Sequence, residues 1–169
     1  MNFLGIDPGY ARLGYGIVKI SGNRPEFVTA GVFETPKEDS EGARLLALEN
    51  FLIQLFSKHV IVHAAIENVF LRRDLTTGIR LSEARGVIVM NLFKANIAYS
   101  EITPSAMKKT ITGSGSAPKK TLQLMTAKLL NLSQQMKIDD AADGLGLALC
   151  AWLRYRSITG NKTATAQFD

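Results

Sequence analysis

Near the N-terminus, apolar residues either alternate with polar ones or run together in short stretches. Residues 3–7, 14–20 and 27–33 form such stretches, separated by Pro8-Gly9 and by Ser21-Gly22-Asn23-Arg24-Pro25. Turn-forming residues between short apolar runs predict three consecutive antiparallel strands, a β-meander. The period then changes. Leu45, Leu48, Leu52, Leu55 and Phe56 recur at helical spacing within 41–58, with Ser40 placed as an N-cap. A strand ending at Glu67 follows, then a long helix from Thr76 or Thr77 to about Lys94, then a short strand over 97–102. Thr103-Pro104 has the cap-then-proline order that opens a further helix.

Gly113-Ser114-Gly115-Ser116-Ala117-Pro118 is too rich in turn formers to be a regular element. It is expected to be a loop inside the domain, followed by a helix over 119–130. A last helix should start near Asp139 and pass Trp152 to about Arg156. One domain is therefore expected over 1–156, with 157–169 a polar, frayed tail. Alternating strands and helices of this kind place the chain in the α/β class.

Composition narrows the function classes. The chain has 169 residues, 46% apolar and 21% charged, which suits a single globular domain and excludes disordered and collagen-like chains. Twenty Lys and Arg against fifteen Asp and Glu give a net charge of +5, which inclines the protein towards a polyanionic partner. Cys150, the one cysteine, lies in the apolar run 145–153 and reads as a core residue of a reduced, intracellular protein. No signal-peptide pattern and no bilayer-length apolar run is visible, so a soluble cytoplasmic protein without membrane contact is expected.

The chemistry is concentrated in four carboxylates from three separated segments. Asp7 lies in Gly5-Ile6-Asp7-Pro8-Gly9, Glu67 in Ala65-Ile66-Glu67-Asn68, and Asp140 and Asp143 in Asp139-Asp140-Ala141-Ala142-Asp143. Asp7 and Glu67 close apolar runs, as acids at the ends of buried strands would. Carboxylates in such places are tolerated when paired or when they coordinate a metal, and a cluster of acids suits a hard divalent cation such as Mg²⁺. Phosphodiester hydrolysis can use two such ions roughly 3.5–4 Å apart, held by carboxylates converging from different elements. On a helix Asp143 shares a face with either Asp139 or Asp140, and spacing does not choose between them. Taken singly, each acid could equally be a cap or turn residue.

Lys108 and Lys109 precede the Gly-Ser loop, and Lys119 and Lys120 follow it. They can contact a phosphate backbone or stabilise a transition-state anion, or they can be solvated helix ends. Gly86 interrupts the second long helix at a cost of about 1 kcal/mol relative to alanine, which suggests a close helix contact, either across a dimer interface or on the sheet. His59 and His63 straddle a helix end and a strand and make a poor metal pair. Pro118 occupies the second glycine position of a P-loop, so an ATP site is not expected there.

Gly5-Ile6-Asp7-Pro8-Gly9, Ile66-Glu67-Asn68-Val69-Phe70, Ala84-Arg85-Gly86, Thr103-Pro104 with the lysine-flanked loop, and Asp140-Ala141-Ala142-Asp143 occur in an order that resembles the RuvC family of Holliday junction resolvases. The resemblance covers nearly the whole chain. It implies a ribonuclease H-like fold, with a five-stranded mixed sheet flanked by helices. It also implies a homodimer that nicks two strands of a four-way DNA junction during recombination and repair, with Mg²⁺ as cofactor, Mn²⁺ as a possible substitute, and RuvA and RuvB type branch-migration proteins as partners. It selects Asp7, Glu67, Asp140 and Asp143 as the metal-binding catalytic acids, leaving Asp139 as an N-cap. It matches Lys108 and Lys119 to catalytic lysines. Phe70 matches a family aromatic that stacks on an unpaired base, with Arg72 and Arg73 following it on DNA; the plainer reading of Phe70 is a core residue. Three rivals are an ATP-binding relative of the actin and sugar-kinase group, which needs two lobes, a junction-binding protein without catalysis, and another ribonuclease H-like nuclease such as a YqgF-type protein.

Overall fold

The N-terminal segment forms the middle of a sheet. In the computed structural model, which describes residues 1–9, 11–36, 38–68, 75–132 and 142–165, β1 (Asn2–Pro8) pairs antiparallel with β2 (Arg12–Ser21) and parallel with β4 (Ile61–Glu67). β3 (Arg24–Glu34) extends the sheet beyond β2, and β5 (Ala98–Ile102) lies parallel to β4, giving the order β3-β2-β1-β4-β5. The meander and the five-stranded mixed sheet are as expected. Gly22, at φ 63°, supplies the left-handed residue in the turn between β2 and β3.

Helices pack on both faces. α1 (Glu41–Lys58) and α2 (Leu75–Lys94) cover one, where Leu4, Ile6, Ile17, Ala64 and Ile66 meet Leu48, Leu52, Ile88 and Leu92. α3 (Pro104–Thr112), α4 (Lys119–Leu129) and α5 (Ala142–Thr165) cover the other, where Phe3, Val18 and Ala65 meet Met107, Leu122, Leu145 and Leu147. Alternation along the strands divides the apolar side chains between these two cores. The local signals act as anticipated. The Ser40 hydroxyl accepts from the Ala43 amide, and Thr103 accepts from the Ala106 amide at 3.2 Å, with Pro104 opening α3.

The 113–118 segment is an ordered loop. Gly113, at φ 82°, ends α3, Thr112 Oγ1 donates to the Lys108 carbonyl at 2.9 Å, and the Ser114 amide donates to Thr112 Oγ1 at 3.2 Å. Cys150 is buried on α5, and burial pushes its thiol up to about 11, which suits an inert core residue. The last helix does not stop near Arg156. It continues to Thr165, because a polar composition without proline does not itself break a helix. Arg156 also ties this half of α5 to the β2–β3 turn by donating to Asn23 Oδ1 at 2.9 Å.

Three glycines set the distance between α5 and the sheet. Gly5 and Gly16 face each other across β1 and β2, and both lie under the start of α5. A Cβ at Gly5 would stand 2.0 Å from the Gly144 carbonyl oxygen, and one at Gly16 2.5 Å from the Leu145 amide nitrogen. A Cβ at Gly144 would meet the Tyr15 carbonyl carbon at 2.5 Å. These neighbours are backbone atoms and cannot swing aside. Gly144→Ala is expected to lower unfolding stability by about 1–3 kcal/mol through overpacking. Gly42→Ala, where no atom lies within 4 Å and the glycine stands in a helix, is expected to leave it unchanged or raise it by up to about 1 kcal/mol. Denaturant melts of both variants check this, and equal effects would contradict it.

Candidate functional site

Asp7 and Glu67 emerge side by side from the sheet. Ile6 pairs with Ile66 across parallel β1 and β4, so the next residue on each strand is an acid in the same register. Phe3 and Ala65, each an even number of residues earlier on its strand, belong to the core beneath α5, so Asp7 and Glu67 face that helix layer. The strand end is fixed: the Asn68 amide donates to the Ile102 carbonyl at 2.8 Å. Asp143 enters from the first turn of α5, one residue before the glycine contact, and its charge acts on both strand acids.

Burial and crowding bind protons here. Burial raises Asp7 above the ordinary carboxylate range; a hydrogen bond from Glu67 opposes this, the Asp143 charge adds to it, and Lys119 works against it. Glu67 is pushed up to about 8, first by burial, then by the Asp7 charge, the hydrogen bond it donates to Asp7, and Asp143, with Lys108 pulling the other way. Both acids therefore hold a proton more tightly than a free carboxyl does. Oxygen donors this close, desolvated and mutually repelling, suit a hard cation that replaces the proton. Among the described residues no three His, Cys, Asp or Glu side chains already form a metal-binding group. Asp143 is engaged elsewhere: Lys119 Nζ lies 3.3 Å from its Oδ2.

An open cleft of about 310 Å³ borders the acids, with Asp7, Arg12, Gly14, Lys119 and Asp143 among its walls. Of the residues singled out in the sequence, the structure gathers Asp7, Glu67, Asp143 and Lys119, with Lys108 within electrostatic reach of Glu67. Lys109 and Lys120 are exposed on α3 and α4. Phe70, Arg72, Arg73, Asp139 and Asp140 lie outside the described residues. His63 is a buried β4 residue bonded to Ser100 Oγ at 2.9 Å. Sequence reasoning missed Gly5, Gly16 and Gly144, which bring Asp143 to the strand ends. Glycine inside a strand was the available signal, since it weakens the strand unless another backbone must approach. It also missed Arg12 on the cleft wall.

The raised proton affinity of these acids makes stability depend on pH. Without metal, Asp7 and Glu67 bind protons more tightly in the folded chain than in the unfolded one. Stability is then highest near the unfolded carboxylate range and falls as pH rises towards about 8. Denaturant midpoints in EDTA are expected to drop between pH 5 and pH 8, and to drop less in Glu67→Gln. Parallel pH profiles for the two proteins would contradict the assignment.

Comparison with known proteins accords with this arrangement. Residues 3–151 match the family described as Crossover junction endodeoxyribonuclease RuvC. The RuvC of Pseudothermotoga lettingae is 41% identical over 150 residues, covering 89% of this chain and 93% of that one. The RuvC of Thermosipho melanesiensis is also 41% identical, over 89% and 96% of the two chains. The Thermus thermophilus RuvC structure superposes with a TM-score of 0.83 at 23% identity, over 95% of this chain and 97% of that one, and so shares the fold. The five-stranded mixed sheet with its flanking helices is thus ribonuclease H-like. With its fold, its motif order and these relatives in agreement, the chain belongs to the RuvC family of crossover junction endodeoxyribonucleases.

Proposed function

We propose that this protein resolves four-way DNA junctions as a homodimeric, Mg²⁺-dependent endonuclease, nicking two opposed strands during recombination and repair in the cytoplasm. The observation that carries the reading is the pairing of Asp7 and Glu67 at the ends of adjacent parallel strands, with Asp143 above them. These three, with Asp140, would hold the metal. When bound, Mg²⁺ or Mn²⁺ supplies an activated water and neutralises charge on the leaving oxygen. The carboxylates would hold that ion in place against the sheet, and Lys108 and Lys119 would place positive charge beside the scissile phosphate. Lys109, Lys120, Arg72 and Arg73 would extend the phosphate contacts, and Phe70 would stack on an unpaired base. RuvA and RuvB type proteins are the partners that the family resemblance suggests. The structure of Thermus thermophilus RuvC in complex with Holliday junction substrate shares this fold, at a TM-score of 0.83 and 22% identity.

Two symmetric nicks need two active sites, and α2 offers a surface on which to pair. Ile79, Gly86, Met90 and Phe93 lie on its outside at helical spacing, with Phe93 83% exposed. A Cβ at Gly86 would meet nothing within 4 Å, so this glycine does not pack on the sheet as its place in the helix allowed. Helix α2 can instead approach a second copy closely there. Exposed apolar residues in such a stripe favour association.

Purified protein is to be incubated with mobile and immobile four-way junctions and with linear duplex, in Mg²⁺ or EDTA, and the nicks mapped. Asp7→Asn, Glu67→Gln, Asp140→Asn and Asp143→Asn should each abolish nicking while junction binding largely persists, because the amide keeps the shape and loses the charge. Full cleavage by Asp7→Asn would sink the assignment. Light scattering should give about twice 18.5 kDa for the native chain. Phe93→Asp should shift the species to monomer and abolish paired nicks, whereas a monomeric native chain making symmetric nicks would contradict the dimer.

A further inference from the structure

Lys119 stands where its own helix does not favour it. It is the first residue of α4, whose first turn holds no acid and whose Pro118 cap makes no side-chain hydrogen bond. The positive end of the helix dipole therefore faces the ammonium groups of Lys119 and Lys120. The Lys119 side chain is 60% exposed and could remain in water, yet its Nζ reaches Asp143 Oδ2 at 3.3 Å in the cleft beside Asp7. The attraction that holds it comes from the acids, and its charge extends to Asp7 as well.

Asp143 is also one of the carboxylates to which the proposed function assigns the metal. An ammonium and a dication compete for the same carboxylate. If both stayed on it they would stand in direct repulsion within a partly desolvated site. We propose that Lys119 is the resident counter-ion of the metal site: it holds Asp143 in the metal-free protein, leaves when the divalent ion binds, and is thereby released to a phosphate of bound DNA. The inference rests on the metal-site reading above. It adds a consequence that static phosphate contact lacks. A phosphate that draws Lys119 from Asp143 favours metal binding, and metal that frees Lys119 favours DNA binding by the same factor.

The test is a Mn²⁺ titration of the full-length protein without DNA, following free Mn²⁺ by electron paramagnetic resonance, for the native chain, Lys119→Gln, Lys119→Arg and Lys108→Gln. Lys119→Gln is expected to bind Mn²⁺ roughly fivefold more tightly, the scale set by losing a partly exposed ion pair. Lys119→Arg should bind about as the native chain does, and Lys108→Gln, which breaks no ion pair with Asp7, Glu67 or Asp143, should tighten much less. Unchanged or weaker binding by Lys119→Gln would overturn the proposal. So would equal tightening by Lys108→Gln, which would mean only a general loss of positive charge, or an arginine variant that behaves like the glutamine one. Thermal melts in EDTA establish that each variant is folded. A native chain that binds no Mn²⁺ would instead overturn the metal-site reading itself.

Discussion

The backbone contact between α5 and the sheet is the constraint on which the site depends. Gly5 and Gly16 form a floor without side chains, and Gly144 presents a helix surface without one. Two strands and a helix therefore meet at a separation that a single methyl group would prevent. Asp143 is the residue before Gly144, and Asp7 lies two residues beyond Gly5 on the same strand face. Moving α5 outward by the width of a methyl group would carry Asp143 away from the other acids and loosen the core beneath the helix.

The closeness that suits a metal site is costly without one. Burial, first, and then mutual repulsion raise the proton affinity of Asp7 and Glu67, and Asp143 adds to the repulsion. Lys119 and Lys108 offset part of it from opposite sides, one on Asp143 and one towards Glu67. The cluster is thus a place where stability is given up for chemistry, as is common at functional sites. Surrounding packing sustains it: Phe3, Leu4, Ile6 and Ile66 are fully buried beside the acids in sequence.

Much of this was legible because it is local. Ser40 and Thr103-Pro104 announce helix starts through bonds within one turn, and the apolar runs before Asp7 and Glu67 announce strands with acids at their ends. The order of motifs then carried the family and, with it, the sheet. What stayed hidden is non-local. Nothing in the residues around Gly16 points to Gly144, since the partners meet only once the sheet has formed. The Lys119–Asp143 ion pair joins two helices that no periodicity relates. Gly86 was readable as a helix defect, but its surroundings were not, and they turned out to be open. The end of α5 was misplaced because polar residues were taken to end a helix that nothing interrupts.

The central sheet also separates two helix layers that scarcely share side chains. The layer of α3, α4 and α5 frames the acids, while α1 and α2 pack on the opposite face with their own core. Among the described residues, a substitution in one layer reaches the other chiefly through the strands, which are fixed by their hydrogen bonds. Sequence drift can then proceed on the two faces at different rates, and lineages of this fold can inherit an unchanged cleft alongside a remodelled outer helix pair. The sheet makes its two faces modular while both rest on the same strands.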